Sequence, residues 1–231
     1  MILSIETATR ICSVALFSDN KIIGCLESED ENAHSRILHI LIDRLFKESG
    51  TSMSQLDAVA VSKGPGSYTG LRIGVSTAKG LCYGRDIPVI AVNSLEALAY
   101  GMRAVSFEKG TDSNTLFIPM IDARRMEVFT AIYNSNLETI RETSAEIITT
   151  DSLTDYSTYH LVLGGDGADK CHEILNRDNI TILPHFNASA ANLLIPAQRA
   201  MESRQFENTA YFEPFYLKDF IAGKSHVKGL K

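Results

Sequence analysis

The sequence lacks any apolar run that approaches the roughly 18 residues of a membrane-spanning helix, so we expect no membrane span. Its first residues lack a basic segment and enter a strand pattern directly, so we expect no signal peptide. It also lacks an excess of positive charge, since the formal net charge is −6. Because a phosphate backbone is bound by a concentrated basic face, we do not expect this chain to hold nucleic acid unaided.

Cysteines are few and scattered. Cys12, Cys25, Cys82 and Cys171 form no Cys-x-x-Cys pair, and Cys12 and Cys82 lie in apolar runs. We therefore expect reduced, small core residues in a cytoplasmic protein, and no metal site.

Strand and helix patterns occur twice in a similar order, which predicts an α/β protein with two lobes. In the first half the patterns predict strands at 1–5, 13–18, 21–27, 56–61 and 87–92, and helices at 33–49, from 70 to about 83, and from 94 to about 103. In the second half they predict strands at 116–122, 127–133, 137–143, 160–163 and 179–183, and helices from 167 to about 176 and at 189–204.

Some segments between these elements have their own interpretation. The turn Asp19-Asn20 closes a predicted hairpin, and the polar stretch 28–32 is predicted to be a loop. The polar stretch 108–114 is the expected boundary between the lobes. The aromatic-rich segment 211–220 is expected to dock on the first lobe, and the lysine-bearing stretch 223–231 to be a solvated tail.

A glycine-rich loop at 63–74 follows a predicted strand and precedes a predicted helix. Glycines allow a sharp turn and a close approach, and the following helix start offers free N–H groups. The loop does not match the dinucleotide-binding Gly-x-Gly-x-x-Gly, because Gly70 comes one position late, and Gly70-Leu71-Arg72 lacks the Gly-Lys-Ser/Thr ending of a P-loop.

The complete string Gly64-Pro65-Gly66-Ser67-Tyr68-Thr69-Gly70-Leu71-Arg72-Ile73-Gly74 closely resembles the signature of the bacterial TsaB (YeaZ) proteins. Three further stretches match in the expected order, at 2–9, 121–129 and 214–218. The resemblance implies a duplicated actin/Hsp70/sugar-kinase-like (ribonuclease H-like) two-lobe fold. We expect the first lobe at 1–105, with 206–231 returning to it, and the second at 106–205.

The resemblance also implies a function. TsaB proteins are non-catalytic partners of TsaD in forming N6-threonylcarbamoyladenosine on tRNA, in which TsaE also takes part. We therefore expect TsaD and TsaE as partners, indirect contact with tRNA, and a homodimer when the chain is isolated. An older name, glycoprotease-like, suggests proteolysis, but no serine or cysteine has recognisable His and Asp partners.

Two helices are candidates for the partner interface. Apolar residues of 33–49 cover an arc of about 240°, against roughly 100° on an ordinary surface helix. The second helix carries an apolar stripe and a glycine stripe. Each helix face could pack inside the lobe or meet a partner, and the resembled family favours the partner. The predicted interface comprises Ile37, Leu38, Leu41, Ile42, Leu45, Gly70, Leu71, Gly74, Val75 and Ala78.

A nucleotide cleft between the lobes is the alternative site, since actin-like ATPases hold magnesium and phosphates there. The matching positions are Glu6, Thr7, Thr9, Asp122, Gly165 and Gly167, which could equally be capping and turn residues. This alternative predicts a self-standing ATPase or small-molecule kinase.

Two departures weaken the alternative. His34 and His39 are five apart, where TsaD-type enzymes carry His-x-x-x-His, and both are expected at the surface. Glu6 replaces an aspartate, which suits magnesium poorly. We therefore predict no catalytic residue, no metal and no intrinsic cofactor, with ATP and magnesium possible only within the complex.

Overall fold

A computed structural model describes residues 1–29, 34–107 and 113–218. The predicted loop 28–32, the helix start at 33, most of the boundary 108–114 and the tail after 218 lie at least partly outside these residues. The described chain contains two five-stranded mixed sheets with helices on their faces, which confirms the α/β class and the duplication.

The first sheet has the order β3-β2-β1-β4-β5. Its strands are β1 (Ile2–Glu6), β2 (Cys12–Ser18), β3 (Lys21–Ser28), β4 (Ala58–Gly64) and β5 (Val89–Asn93). β1 pairs antiparallel with β2 and parallel with β4. Asp19 and Asn20 have φ of 49° and 61°, as expected of the two turn residues of the β2–β3 hairpin.

The second sheet repeats this order as β8-β7-β6-β9-β10. Its strands are β6 (Thr115–Asp122), β7 (Glu127–Tyr133), β8 (Thr139–Ile147), β9 (His160–Gly164) and β10 (Ile180–Ile182). β8 continues four residues beyond the predicted strand. Each lobe therefore starts with an antiparallel meander and adds parallel strands beside its first strand.

Five α-helices accompany the sheets in the described residues. They are α1 (His34–Ser49), α2 (Tyr68–Arg85), α3 (Ser94–Phe107), α4 (Asp166–Asp169) and α5 (Leu194–Glu202). Gly50 stops α1 with a φ of 64°, and the Asn93 side chain accepts from the N–H of Leu95 to cap α3. The predicted helix after Gly167 is reduced to the single turn of α4. Pro196 lies in the first turn of α5, where it needs no N–H donor and causes no mid-helix kink.

Helices cover both faces of the first sheet. On one face, α1 and α2 bury apolar side chains against β1, β2 and β4. On the other face, a 3₁₀ turn at 190–193 and α5 pack on Ala58, Ala60 and Ile90. Residues from about 189 onward thus contact the first sheet, although the predicted boundary at 205 assigned them to the second lobe.

The α3 helix lies between the two sheets. Its apolar residues, including Leu98 and Met102, form a core with Phe117 and Phe129 of the second sheet. The same helix also contacts β4, β5 and the turn at 190–193. Among the described residues, no helix is both long enough and apolar enough to span a membrane.

Candidate functional site

The turn that follows β1 is buried under its own chain. Glu6 and Thr7 have no exposed surface, and Thr9 is only 7% exposed. The Oε1 atom of Glu6 accepts from the N–H of Ala8 at 2.6 Å, and its Oε2 atom accepts from the Ser62 hydroxyl. Both oxygens of this carboxylate are therefore engaged within the first lobe.

Burial changes the titration of Glu6. Desolvation raises its pKa from 4.5 to about 7, against the lowering effect of its bonds to Ser62 and Ala8. Charge repulsion from Asp166 of the second lobe adds a smaller increase to the pKa of Glu6. Burial likewise raises the pKa of Asp166.

The glycine-rich loop packs directly on this turn. A Cβ atom on Gly66 would lie 2.3 Å from the carbonyl oxygen of Ala8, and one on Gly70 would lie 2.1 Å from that of Thr7. The N–H of Ser67 also donates to the Ala8 oxygen at 2.6 Å. The glycines therefore let the start of α2 sit where a phosphate would have to approach the turn.

In the second lobe, the two predicted cleft glycines also serve close packing. A Cβ atom on Gly165 would lie 2.1 Å from the carbonyl oxygen of Met120, and one on Gly167 would lie 2.9 Å from the carbonyl carbon of Ile121. Both glycines are buried, so they bring α4 against β6.

Asp122 lies at the end of β6 with its side chain 46% exposed. Its Oδ1 atom accepts from the N–H of Arg124 at 2.9 Å and from the Lys170 ammonium group. Its own N–H donates to Asp166 Oδ1 at 2.9 Å. Sequence reasoning named Asp122 but missed Lys170 and Asp166, because a lysine and an aspartate around a glycine turn are common in any surface loop.

The predicted cleft residues do not fit a nucleotide with magnesium. Glu6 points into the first lobe, Asp122 is paired with Lys170, and the turn at Thr7 is covered by α2. Within the part of the chain that the structure describes, the Oγ1 atom of Thr7 has no hydrogen-bond partner, and it faces Gly74 of α2. Among the described residues, no group of three His, Cys, Asp or Glu side chains could hold a metal ion.

Most residues of the predicted partner interface are in the core of the first lobe. The structure buries Leu38, Leu41, Ile42, Leu45, Gly70, Leu71, Gly74, Val75 and Ala78, and it leaves Ile37 half-buried. Gly74 faces Thr7, where a Cβ atom would lie 2.2 Å from Oγ1. The close neighbour that the glycine stripe requires is therefore the chain's own β1 turn.

A different face of the same two helices is open. Ile40 of α1 is 56% exposed, and Tyr83 of α2 is 87% exposed. Gly80 and Gly84 are exposed, and a Cβ atom on either would meet none of the described residues within 4 Å. Since α1 and α2 contact each other, we use the name open helix face for a set that comprises the exposed Ile40, Gly80, Tyr83 and Gly84 together with the half-buried Ile37, Ile73 and Thr77.

His34 corrects another expectation. It is buried rather than at the surface, and its Nε2–H donates to the carbonyl oxygen of Thr9 at 3.0 Å. This bond joins the start of α1 to the β1–β2 connection. His39 is exposed, as expected.

The chain returns to the first lobe after α5. Glu207 bridges to Val89 of β5, and the N–H of Phe215 donates to the Lys63 oxygen at 2.7 Å. Phe212 is buried in the α1–α2 core, and the Tyr216 ring lies 4.8 Å from that of Tyr68. The described part of this segment therefore packs across the glycine-rich loop and α2, and we call it the strap.

Comparisons with known proteins agree with this architecture. The model of the TsaD family, tRNA N6-adenosine threonylcarbamoyltransferase, matches residues 21–223. The Escherichia coli (strain K12) tRNA threonylcarbamoyladenosine biosynthesis protein TsaB is 32% identical, over 96% of each chain. Its Bacillus subtilis (strain 168) namesake is 36% identical, over 57% of this chain and 54% of its own.

A solved structure supports the fold independently. YeaZ from Pseudomonas aeruginosa superposes with a TM-score of 0.80, covering 94% of this chain and 99% of its own, at 24% identity. Sequence similarity along nearly the whole chain and the duplicated sheets indicate the same family. The chain therefore belongs to the TsaB (YeaZ) family of tRNA threonylcarbamoyladenosine biosynthesis proteins, whose fold is related to that of TsaD.

Proposed function

We propose that this protein is a non-catalytic partner of TsaD in forming N6-threonylcarbamoyladenosine on tRNA, and that it binds TsaD through the open helix face. Membership of the TsaB family supports the pathway. The observation that carries the partner role is the pair Gly80 and Gly84, which lies on the surface with free space above each Cα atom.

The glycines suggest how the partner binds. A glycine in a helix interior costs about 1 kcal/mol relative to alanine, and no contact among the described residues explains that cost at Gly80. The two glycines lie four residues apart on α2, and Ile40 of α1 adds an exposed apolar side chain. Such a surface lets the backbone of a partner helix approach closely, while the isoleucine supplies apolar burial.

Direct variants of the open helix face provide the test. Gly80→Arg and Ile40→Asp should each abolish co-elution with TsaD and tRNA modification in a reconstituted reaction, measured by mass spectrometry of the nucleosides. Both sites are exposed, so the melting temperature should stay close to that of the wild type. Ile147→Asp, at a residue that is 69% exposed on β8, is the matched control and should behave as wild type.

The result that would overturn the proposal is intact complex and intact modification in both variants. Leu41→Asp and Gly74→Arg are unsuitable, because both residues are buried and their loss would act through unfolding.

The proposal includes the remaining assembly. TsaE is expected to join the TsaD complex, which a pull-down with tagged TsaE would detect. Without TsaD, the open helix face should pair with that of a second copy, because large bare apolar patches rarely stay solvated. Sedimentation runs that show a concentration-independent monomer would contradict the homodimer.

Nucleotide binding is expected only within the complex, in the cytoplasm. The isolated chain should give no calorimetric heat with millimolar ATP and magnesium, because the Glu6 carboxylate is engaged by Ser62 and Ala8 and that of Asp122 by Lys170. Saturable magnesium-dependent binding to the chain alone would favour a self-standing ATPase or kinase instead.

A further inference from the structure

Two hairpins bring exposed arginines to the junction of the lobes. Arg10 lies in the β1–β2 connection, and Arg124 and Arg125 lie in the β6–β7 connection. The connections are linked through Asp166, which attracts Arg10 and accepts from the N–H of Asp122. The N–H of Arg124 in turn donates to the Asp122 side chain. We call Arg10, Arg124 and Arg125 the arginine tips.

The β6–β7 tip has an unusual backbone for its residues. Arg124 and Arg125 have φ of 71° and 52°, in the left-handed region that favours glycine and asparagine. The Lys170 ammonium group holds this conformation by donating to the carbonyl oxygens of Arg125 at 2.8 Å and Glu127 at 2.7 Å. These contacts of Lys170 fix the hairpin tip on which both arginines lie exposed.

The guanidinium groups at this tip are exposed. Neither Arg124 nor Arg125 forms a side-chain hydrogen bond or ion pair within the part of the chain that the structure describes. The nearby acids are already engaged, since Asp122 pairs with Lys170 and Glu127 pairs with Lys218. Burial of Asp166 disfavours its charged form. Three arginines and two lysines thus stand against the three carboxyl groups of Asp122, Glu127 and Asp166. The tips are therefore locally positive on an acidic protein.

The ligand class follows from the guanidinium chemistry. Planar forks of N–H donors match the oxygens of phosphate groups, and arginine is favoured wherever such recognition matters. All three residues are exposed, and the β1 turn that precedes Arg10 is filled by the chain's own α2. An exposed set suits an extended chain of phosphates better than one enclosed phosphate.

We propose that the arginine tips contact the phosphate backbone of tRNA bound to the complex with TsaD. The inference rests on the proposed function and adds a direct RNA contact to it. A few such contacts cannot hold RNA alone against a net charge of −6, but they add to a site that TsaD supplies.

The test is the salt dependence of RNA binding. Fluorescence anisotropy measures the affinity of a labelled, unmodified tRNA transcript for the TsaD complex over about 50 to 200 mM salt. The double variant Arg124→Asn/Arg125→Gly removes both charges. Asparagine and glycine tolerate positive φ, so the hairpin should keep its fold. We expect the affinity to fall by about tenfold or more, and the slope of log K against log salt to become shallower by about 2. Arg10→Gln should add a further decrease of about 1 in the slope.

Arg204→Gly is the matched control. Arg204 is exposed and also has a positive φ, of 54°, but it lies beyond α5, outside the arginine tips. Its loss should leave both the affinity and the slope within error of the wild type.

Other outcomes would overturn the inference. A variant complex with an unchanged slope would refute the RNA contact, and failure of the variant to bind TsaD would show that the tips contact protein instead. If ATP or inorganic triphosphate bound the wild-type complex more tightly than the variant while tRNA affinity stayed equal, a free phosphate compound would be the ligand. Failure of the wild-type chain to bind TsaD would refute the proposed function together with this inference, whereas an unchanged slope in a complex that does form would refute this inference alone.

Discussion

Gly70 approaches Thr7 so closely that a Cβ atom on Gly70 would lie 2.1 Å from the Thr7 carbonyl oxygen. The contact joins the first turn of α2 to the end of β1 and leaves no room for a side chain. It also explains why the glycine-rich loop resembles a phosphate-binding loop without matching one. In both cases glycine allows a close approach, but here the neighbour is the protein's own backbone.

Four glycines of α2 therefore separate into two pairs with opposite responses to alanine. Gly70→Ala should lower the free energy of unfolding by about 1 to 3 kcal/mol, because backbone must shift to admit the methyl group. Gly80→Ala should raise it by up to about 1 kcal/mol, because the site is open and alanine favours the helix. Urea unfolding of both variants beside the wild type measures the difference. Equal effects at the two positions would show that the contact with Thr7 does not constrain α2.

Buried Glu6 should make stability depend on pH. Its pKa is raised from 4.5 to about 7 in the folded protein. Between pH 4.5 and pH 7, the folded state therefore holds a proton that the unfolded state has released. Its contribution to stability is therefore fully present below about pH 4.5, is lost as the pH rises, and levels off above about pH 7. The whole change corresponds to about 3 kcal/mol.

Glu6→Gln isolates this effect. The amide oxygen can still accept from the N–H of Ala8, and the Ser62 hydroxyl can accept from the amide nitrogen. The free energy of unfolding of the variant, from urea titrations between pH 4.5 and 8, should decline less steeply than that of the wild type. Parallel curves would mean that Glu6 keeps an ordinary pKa in the folded protein.

The order of elements could be predicted from sequence, but the faces of the helices could not. Alternating apolar residues and the Asp19-Asn20 turn suffice for the strands and the first hairpin. However, the sequence around Gly74 does not distinguish it from Gly80. Gly74 is buried because it packs on the β1 turn, more than 60 residues away in the chain. His34 is likewise buried, with a hydrogen bond to the carbonyl oxygen of Thr9, and helix periodicity does not predict this contact.

The site was harder to predict for a related reason. Glu6 and Asp122 end equivalent strands, as in a nucleotide cleft, yet Ser62 and Lys170 come from other elements and occupy their carboxylates. Local patterns carry no information about these partners. The packing of α5 on the first sheet was missed because an amphipathic helix does not specify which of two similar sheets it covers.

Thiol reactivity should single out one cysteine. Cys12, Cys82 and Cys171 are buried, and burial raises the pKa of Cys12 to about 12 and that of Cys82 to about 11. Cys25 is half-buried, and its pKa is also raised. A disulfide reagent should therefore label Cys25 first and slowly, at a rate that increases with pH as thiolate forms. In Cys25→Ser, labelling should become as slow as unfolding; fast residual labelling would place another cysteine at the surface.

The returning strap should stabilise α2 through one side chain in particular. Phe212 is 7% exposed and packs in the α1–α2 core, and its carbonyl oxygen accepts from the Lys79 ammonium group at 2.8 Å. Phe212→Ala should lower the free energy of unfolding by about 3 kcal/mol, the usual loss for a buried phenylalanine. The neighbouring Tyr211 is 83% exposed, so Tyr211→Ala should change it by less than about 0.5 kcal/mol. Urea unfolding provides both values, and hydrogen exchange should show faster exchange of α2 amides in Phe212→Ala alone. If Phe212→Ala unfolded like the wild type, the strap would contribute nothing to the first lobe, and its docking would have no energetic role.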